Sequence, residues 1–265
     1  MKHILIKSST NFTINGISNQ ELKLIHCNIN TGMQEEPFIY SREIELTYIK
    51  GRENPYLTYK KPSVLKFNAT FAFENTFTSD DLRLLARTID SQYFIPLTFI
   101  DESSDNTSIT KIYYIMLDGD PIISHNCINQ GYVTLSFICN SPYCYSPVYQ
   151  SNIYDMSENI LWTDIIFNNK GDVDCKPEIY ITKVGNGDFV IQNLSNNNIQ
   201  FKFTDLIDQE EISVSNENEL ITTSLLNTSR YDNFNFEFLS IPPGLNTLRI
   251  LGNVKFYFKY QFKYY

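Results

Sequence analysis

Alanine is nearly missing. Ala69, Ala72 and Ala86 are the only three in 265 residues. With the best helix former scarce, isoleucine, phenylalanine and tyrosine take its place, and these suit strands. AT-rich codons share in that bias, so it does not decide the fold by itself. Glycine is sparse at 10 residues. That leaves no Gly-rich phosphate cradle, and Gly185-Asn186-Gly187 reads as a turn rather than the start of a dinucleotide fingerprint. The three histidines, His3, His26 and His125, lie far apart, with no His-Glu-x-x-His and no nucleophile elbow. The five cysteines are odd in number and carry no paired spacing, which argues against a disulfide scaffold. Cys139 and Cys144 are further apart than a zinc pair and have no second pair to join. Cys27, Cys127 and Cys175 read as reduced, buried or half-buried thiols. Positive charge is in deficit: 21 basic residues against 30 acidic give −9. An acidic chain has no electrostatic footprint for nucleic acid or anionic lipid.

Long apolar runs are also missing. Ile4-Leu5-Ile6 ends at Lys7, too short for a secretory segment. Pro121–Tyr154 carries no Asp, Glu, Lys or Arg, but asparagines, Gln130 and three prolines interrupt it, so it is no membrane span. The expectation is a soluble chain made in the cytoplasm, with no cofactor. Apolar residues at 42% and charged residues at 19% make it globular.

Strand patterns fill the first half. Ile4–Lys7 is a short strand, and Asn15-Gly16 closes a hairpin over 13–18. Leu22, Leu24, His26 and Asn28 alternate with their neighbours. The polar segment Thr31–Lys61 reads as one strand near Glu43–Ile49 between long loops. Leu65, Phe67, Ala69, Phe71 and Phe73 form the buried side of a further strand. Helical spacing stands out once: Leu82, Leu85, Ala86 and Ile89 make an apolar stripe. Thr78 or Ser79 caps that helix, Asp80 and Asp81 suit its N-terminus, and Arg83 and Arg87 lie on the opposite face. Strands resume at 93–100, 111–117 and 132–139, with a polar loop over Asp101–Ser108 and a turn at Asp118-Gly119-Asp120.

A boundary follows at Cys139–Pro147, rich in proline and turn residues. This divides the chain into 1–145 and 146–265, with net charges of −3 and −6. The second part is again all β. Short strands are expected at 165–168, 178–183, 189–193, 199–204, 211–214, 220–223, 234–241, 248–251 and 255–262, a spacing that means a sandwich. Its last strand sets Phe256, Phe258, Tyr260 and Phe262 against Lys255, Lys259, Gln261 and Lys263, with Tyr257 the exception.

Acid pairs for glycoside chemistry, Glu210 with Glu211 or Glu217 with Glu219, sit in a hydrophilic strand-turn region, where a solvated edge is the default. Asp172-Val173-Asp174 lacks the rest of a calcium loop. No catalytic, cofactor or metal residue is assigned. Tyr143, Tyr145, Tyr149, Tyr154 and Trp162 fall around the boundary, where they either pack a junction or form a subunit interface.

In combination, several landmarks resemble the distal tail protein (Dit) family of tailed bacteriophages. They are the helix Ser79–Asp90, then Tyr93–Phe99, then a strand running into Cys139-Asn140-Ser141-Pro142-Tyr143. After these come Asn169-Lys170-Gly171 with Pro177-Glu178-Ile179, and Phe234–Leu239 with Pro243-Gly244-Leu245-Asn246. The resemblance implies a mainly β protein with no enzymatic activity. Its N-terminal β-sandwich or barrel-like domain, with one α-helix, would form a homohexameric ring. A galectin-like, carbohydrate-module-like β-sandwich would project outward. It further implies a baseplate hub at the virion tail tip of a phage, prophage or tailocin, assembled in the host cytoplasm. The partners implied are the tail tube protein, the tail-tip or tail-associated lysin protein and, in some phages, receptor-binding proteins. DNA would pass the lumen without specific binding, and an acidic lumen would let it slide. Ring contacts need two complementary patches per subunit. The candidates are Arg83 and Arg87 on the helix, the loop Thr31–Lys61, and Tyr143, Tyr145 and Trp162. The alternative is an adhesion module that binds cell-wall glycan.

Overall fold

The computed structural model describes residues 11–28, 37–100, 110–159 and 161–265. The chain forms two compact units: one ends at Ser146 and takes in Tyr265, and the other is Pro147–Tyr264. It is mainly β, with one α-helix among the described residues. The expected strand Ile4–Lys7, the loop Asp101–Ser108 and the first part of Thr31–Lys61 lie outside the described residues.

In the first unit, β1 (Asn11–Ile14) and β2 (Ile17–Ser18) form a hairpin. Asn15 and Gly16 close it at φ 52° and 80°. A type I′ turn needs both values positive, which Asn-Gly adopts with little strain. The elements that follow are β3 (Leu24–Cys27), β4 (Arg42–Thr47), β5 (Tyr56–Pro62), β6 (Lys66–Phe73) and α1 (Ser79–Ile89). Then come β7 (Ile95–Ile100), β8 (Thr110–Leu117), β9 (Ile122–His125), β10 (Gly131–Cys139) and β11 (Cys144–Tyr145). The main sheet runs β2-β1-β7-β8-β10-β6-β3, antiparallel at each pairing. It curls, because β10 pairs with β8 through Phe137–Cys139 and with β9 through Gly131–Thr134.

The alternation of β6 decides which face is inside. Phe67, Ala69, Phe71 and Phe73 are buried, and Lys66 and Asn68 are exposed. Leu135 and Phe137 of β10 stand opposite Ala69 and Phe67. Phe12 meets Phe71 at 5.0 Å and Phe67 meets Tyr113 at 5.6 Å. His26 lies against Phe71 and Phe99, ring to ring at 5.5 and 5.9 Å.

The helix begins where capping chemistry sets it. Thr78 Oγ1 accepts from the Asp81 amide and Asp81 accepts from the Thr78 amide, a reciprocal box that satisfies two orphan donors. Asp81 also pairs with Lys23 at 2.9 Å. The hydrogen bond from Lys23 and those from Thr78 hold its carboxyl down at about 2. The buried face is Leu85, Thr88 and Ile89 rather than the expected stripe through Ala86, which is exposed. Thr88 can be buried because its hydroxyl donates back to the Leu84 carbonyl at 2.8 Å.

The second unit packs two sheets. The first contains β12 (Tyr149–Gln150), β13 (Tyr154–Met156), β15 (Glu178–Lys183), β18 (Glu211–Ser215), β19 (Leu220–Thr223) and β21 (Val254–Tyr260), in the order β12-β21-β15-β18-β19 with β13 also on β21. The second is β14 (Thr163–Asn169), β20 (Gly244–Leu251), β16 (Gly187–Asn193) and β17 (Ile199–Leu206), adjacent in that order. Alternate residues of both sheets, among them Ile179, Ile181, Phe189, Phe201, Phe203, Phe256 and Phe258, form one buried cluster. Tyr257 points the other way and stacks on Tyr180 of the neighbouring strand, 4.9 Å apart at 7°.

The strand expected at 234–241 does not form. Phe234 and Ile241 make only isolated bridges, to Phe203 and Cys175, and Phe236 has φ 61°. Asparagine side chains do the pairing there instead. Asn216 accepts from the Leu239 amide (2.8 Å) and donates to the Pro177 carbonyl. Asn169 donates to the carbonyls of Ile241 (2.8 Å) and Val173 (2.9 Å) and accepts from the Gly171 amide (2.9 Å). Asn246 donates to the Pro242 and Gly244 carbonyls and accepts from Asn193. All four asparagines are buried. Buried backbone groups must be paired, and a side-chain amide offers both a donor and an acceptor where no ladder is present.

Charge is buried in the same unit. Glu210 was expected on a solvated edge, yet its side chain is 0% exposed. Arg230 grips it with two bonds of 2.8 and 2.7 Å, and Thr223 donates a third at 2.6 Å. Burial pushes the Glu210 carboxyl up, but the bonds from Arg230, Thr223 and the Ile207 amide outweigh it and hold the group ionised below its ordinary range. Lys183 is also buried, its ammonium donating to the carbonyls of Val184 (3.2 Å) and Asn253 (3.0 Å).

Candidate assembly surfaces

The arm β4–β5 is the most unusual surface of the first unit. The sequence reading expected one strand there; the structure has two, paired from Arg42↔Pro62 to Thr47↔Tyr56 with a bulge after Glu45. The second strand was missed because Tyr56–Lys61 lacks a clean alternation, although Gly51 and Pro55 punctuate the turn before it. No residue of 41–61 is buried. Even so, the arm carries Ile44, Leu46, Tyr48, Ile49, Tyr56 and Leu57, with Tyr48 at 74% exposure and Leu57 at 60%. Its own bonds are peripheral: Tyr59 donates to Glu43 (3.0 Å) and Arg52 lies over Tyr56 at 4.0 Å. An isolated two-stranded hairpin is marginal in water, and apolar surface on both its sides favours a partner.

The five residues singled out from sequence fall in both units, four in the first and Trp162 in the second. Arg83 and Arg87 are exposed on α1, Arg83 touching only Asp80 at 4.0 Å. Tyr143 is half-buried in a ring cluster with Tyr40 (5.5 Å) and Tyr265 (5.7 Å). Burial and the neighbouring phenols push its hydroxyl up to about 12. Tyr40 precedes β4, so this cluster pins the root of the arm. Tyr145 lies edge-on to Tyr114 at 5.3 Å. Trp162 belongs to the second unit and is 42% exposed just before β14. Further along the same strand pair, beyond the bidentate Asp164–Arg249 bridge, Ile166 of β14 and Leu245 of β20 are also exposed. Tyr149 and Tyr154 pack on the second unit's own β21, Tyr154 against Phe256 at 5.1 Å and Tyr149 against Tyr260 at 5.8 Å.

A cleft of about 460 Å³ lies on the outer face of β21-β15-β18-β19. Ladder register builds it in two rows. Tyr257, Tyr180, Ser213 and Thr222 stand opposite one another across four strands, and Lys255, Thr182 and Glu211 form the adjoining row.

Thiols are not a candidate site. Cys139, Cys144 and Cys175 are buried, and burial pushes Cys139 and Cys175 up to about 12. Cys127, expected buried or half-buried, is exposed in a tight turn at φ 65°. Among the described residues no group of three or more His, Cys, Asp and Glu is placed to hold a metal, and no helix is long and apolar enough to cross a membrane.

Known proteins match along nearly the whole chain. Residues 7–141 match the phage tail protein N-terminal domain and residues 143–260 the phage tail C-terminal domain. The SPbeta prophage-derived protein YomH of Bacillus subtilis strain 168 is 30% identical over 260 residues, spanning 98% of this chain and all of that one. Among solved structures, the Dit protein (gp 19.1) of phage SPP1, described as a paradigm of the hub adsorption apparatus in phages infecting Gram-positive bacteria, superposes with a TM-score of 0.66. That match spans 95% of this chain and 98% of the other at 17% identity, and it establishes a shared fold. On these two domain matches and this relative, the chain belongs to the phage tail protein family, and its fold is that of a distal tail protein.

Proposed function

We propose that this tail protein is a baseplate hub: a homohexameric ring that joins the tail tube to the tail-tip or tail-associated lysin protein and, in some particles, to receptor-binding proteins. Residues 1–145 would form the ring and residues 146–265 a galectin-like module facing outward. The observation that carries this reading is the arm β4–β5, which offers apolar residues on every side and buries none of them. A closed ring repeats one head-to-tail contact, so each subunit needs a projecting element and a receiving surface. The arm is the projecting element, and the exposed helix face with Arg83 and Arg87 lies on the receiving side. Acidic composition keeps the lumen from gripping DNA. Light scattering of the purified full chain tests the ring: a sixfold mass is expected, falling to a single chain in Ile44→Glu/Leu57→Glu. A single-chain mass that persists when the tail tube protein is added would refute it.

The second reading, adhesion to cell-wall glycan, is favoured by the cleft on the second unit, with its paired tyrosines and hydroxyls. The two readings concern different units and are compatible.

A further inference from the structure

We infer that the outer face of β21-β15-β18 is a binding site for a neutral hexose oligosaccharide, with Tyr257 and Tyr180 as its wall and Glu211, Thr182 and Ser213 as its polar floor. The inference rests on the adhesion reading and gives it a place and a ligand class.

Three features of the cleft carry it. The first is the tyrosine pair. Both rings stand out of the sheet on the solvent side, because Ile179, Ile181, Phe256 and Phe258 take the alternate positions and face the core. They stack on each other at 7° and both line the cleft, where a ligand would lie on an aromatic face of the stack. Pyranose rings present a patch of C–H groups, which lie flat on such a face. Tyr180 is further held by its own hydroxyl, which donates to Glu178 at 3.0 Å. A wall fixed in this way loses little freedom on binding.

The second feature is the floor. Ser213 and Thr222 share a hydrogen bond of 2.7 Å across β18 and β19. Thr182 lies between Glu211 and Lys255 on the adjoining strands. Hydroxyls both donate and accept, an exposed carboxylate accepts, and vicinal sugar hydroxyls need that mixture. The cleft is large enough for such a unit, falling within the range of about 300–1,000 Å³ typical of small-ligand sites.

The third feature is charge. Lys255 is the cation lining the cleft, and Asp155 on β13 already pairs with it at 3.1 Å. Glu211 adds a negative charge. A phosphate-rich polymer would therefore meet repulsion and no free cation, whereas an uncharged sugar meets neither.

The test uses the full-length protein and calorimetric titration, with maltotetraose, galactotetraose, chitotetraose and poly(glycerol phosphate) as probes. At least one neutral oligosaccharide should bind. Tyr257→Ala should weaken that binding by about tenfold or more, and Glu211→Gln should weaken it severalfold. Trp162→Ala should leave it unchanged, as should any change in oligomeric mass. Should Tyr257→Ala fail to fold, Glu211→Gln decides alone. If none of the four probes binds the wild-type chain, the adhesion reading falls and the site with it; if only the polyanion binds, the neutral-sugar site is wrong and adhesion rests on other chemistry. If a neutral sugar binds and both variants bind it as well as wild type, the site is wrong and adhesion stands elsewhere.

Discussion

The arm 42–62 and the segment 230–243 are opposites. The arm is regular β-structure that buries no side chain, and the segment is almost free of regular structure yet anchored by buried groups. In the arm the two strands pair with each other from end to end but for one bulge, and apolar burial is nil. In the segment, the ladder is missing, but Phe234, Leu239 and Ile241 are buried and their surroundings are pinned by Asn169, Asn216 and Asn246. A hydrogen-bonded ladder alone adds little net stability, since water competes for the same groups. Burial with satisfied polar groups adds more. The segment belongs to the protein's own core; the arm contributes nothing to it.

The largest effect should come from the salt bridge at the head of the segment. Arg230 holds buried Glu210 by two bonds and reaches Asn233 at 3.1 Å. Arg230→Ala leaves a carboxylate buried without its partner and should cost about 3–5 kcal/mol, read as a lower urea midpoint. The double change Glu210→Leu/Arg230→Met removes both charges and should recover most of that loss. Were the single variant as stable as wild type, the buried pair would not be the anchor of this segment.

Next in size is Asn169→Ala. It removes three bonds that join β14 to the Val173 turn and to Ile241. The Ile241 carbonyl keeps the Cys175 amide (2.9 Å), but the Val173 carbonyl and the buried Gly171 amide lose the Asn169 side chain, which should cost about 1–3 kcal/mol, measured by thermal melting. Asn68→Ala, an exposed asparagine on β6, is the control and should change almost nothing.

The helix cap gives a smaller effect with a pH signature. Thr78→Ala should cost about 1 kcal/mol. Asp81 sits at about 2 when folded, against 3.8 for an ordinary aspartate. A depressed carboxyl contributes stability that is whole above the ordinary value and is lost as pH falls toward the folded one. Wild-type stability should therefore drop between about pH 4 and pH 2, and Asp81→Asn should flatten the part of that drop due to the cap. An identical acid profile in both proteins would refute the assignment.

Much of the fold was legible because two-residue alternation is a strong signal wherever one face of a strand is buried. β6, β15 and β21 came out of Phe, Ile and Tyr at alternate positions, and the helix out of its cap and stripe. The arm's second strand was not legible, since with neither face buried nothing forces its residues to alternate. Phe234–Ile241 misled for the opposite reason. It has strand composition and strand-like burial, but asparagines distant in sequence, Asn169 and Asn216, bond to Ile241 and Leu239 in place of a ladder. Glu210 misled as well, because a carboxylate reads as solvated until its arginine, twenty residues on, is placed beside it. The arginines and tyrosines proposed for assembly were identifiable as residue types; where they lie relative to one another needed the sheet register.

The smallest effect on stability belongs to the arm, and it separates the two regions most sharply. Ile44→Ser and Leu57→Ser remove exposed apolar groups that touch no core, so each should change unfolding free energy by less than about 0.5 kcal/mol. Assembly should respond in the opposite sense, with the hexameric mass lost in the double variant. Hydrogen exchange adds a readout within one protein. In a single chain the amides of 42–47 and 56–62 should exchange far faster than those of β6, since the arm has no burial to hold it closed. In the assembled ring they should slow toward the β6 rate, because apolar contact with a neighbour then protects the same bonds. If the arm's amides are already slow in an isolated chain, or stay fast in a sixfold assembly, its exposed side chains do not make the ring contact.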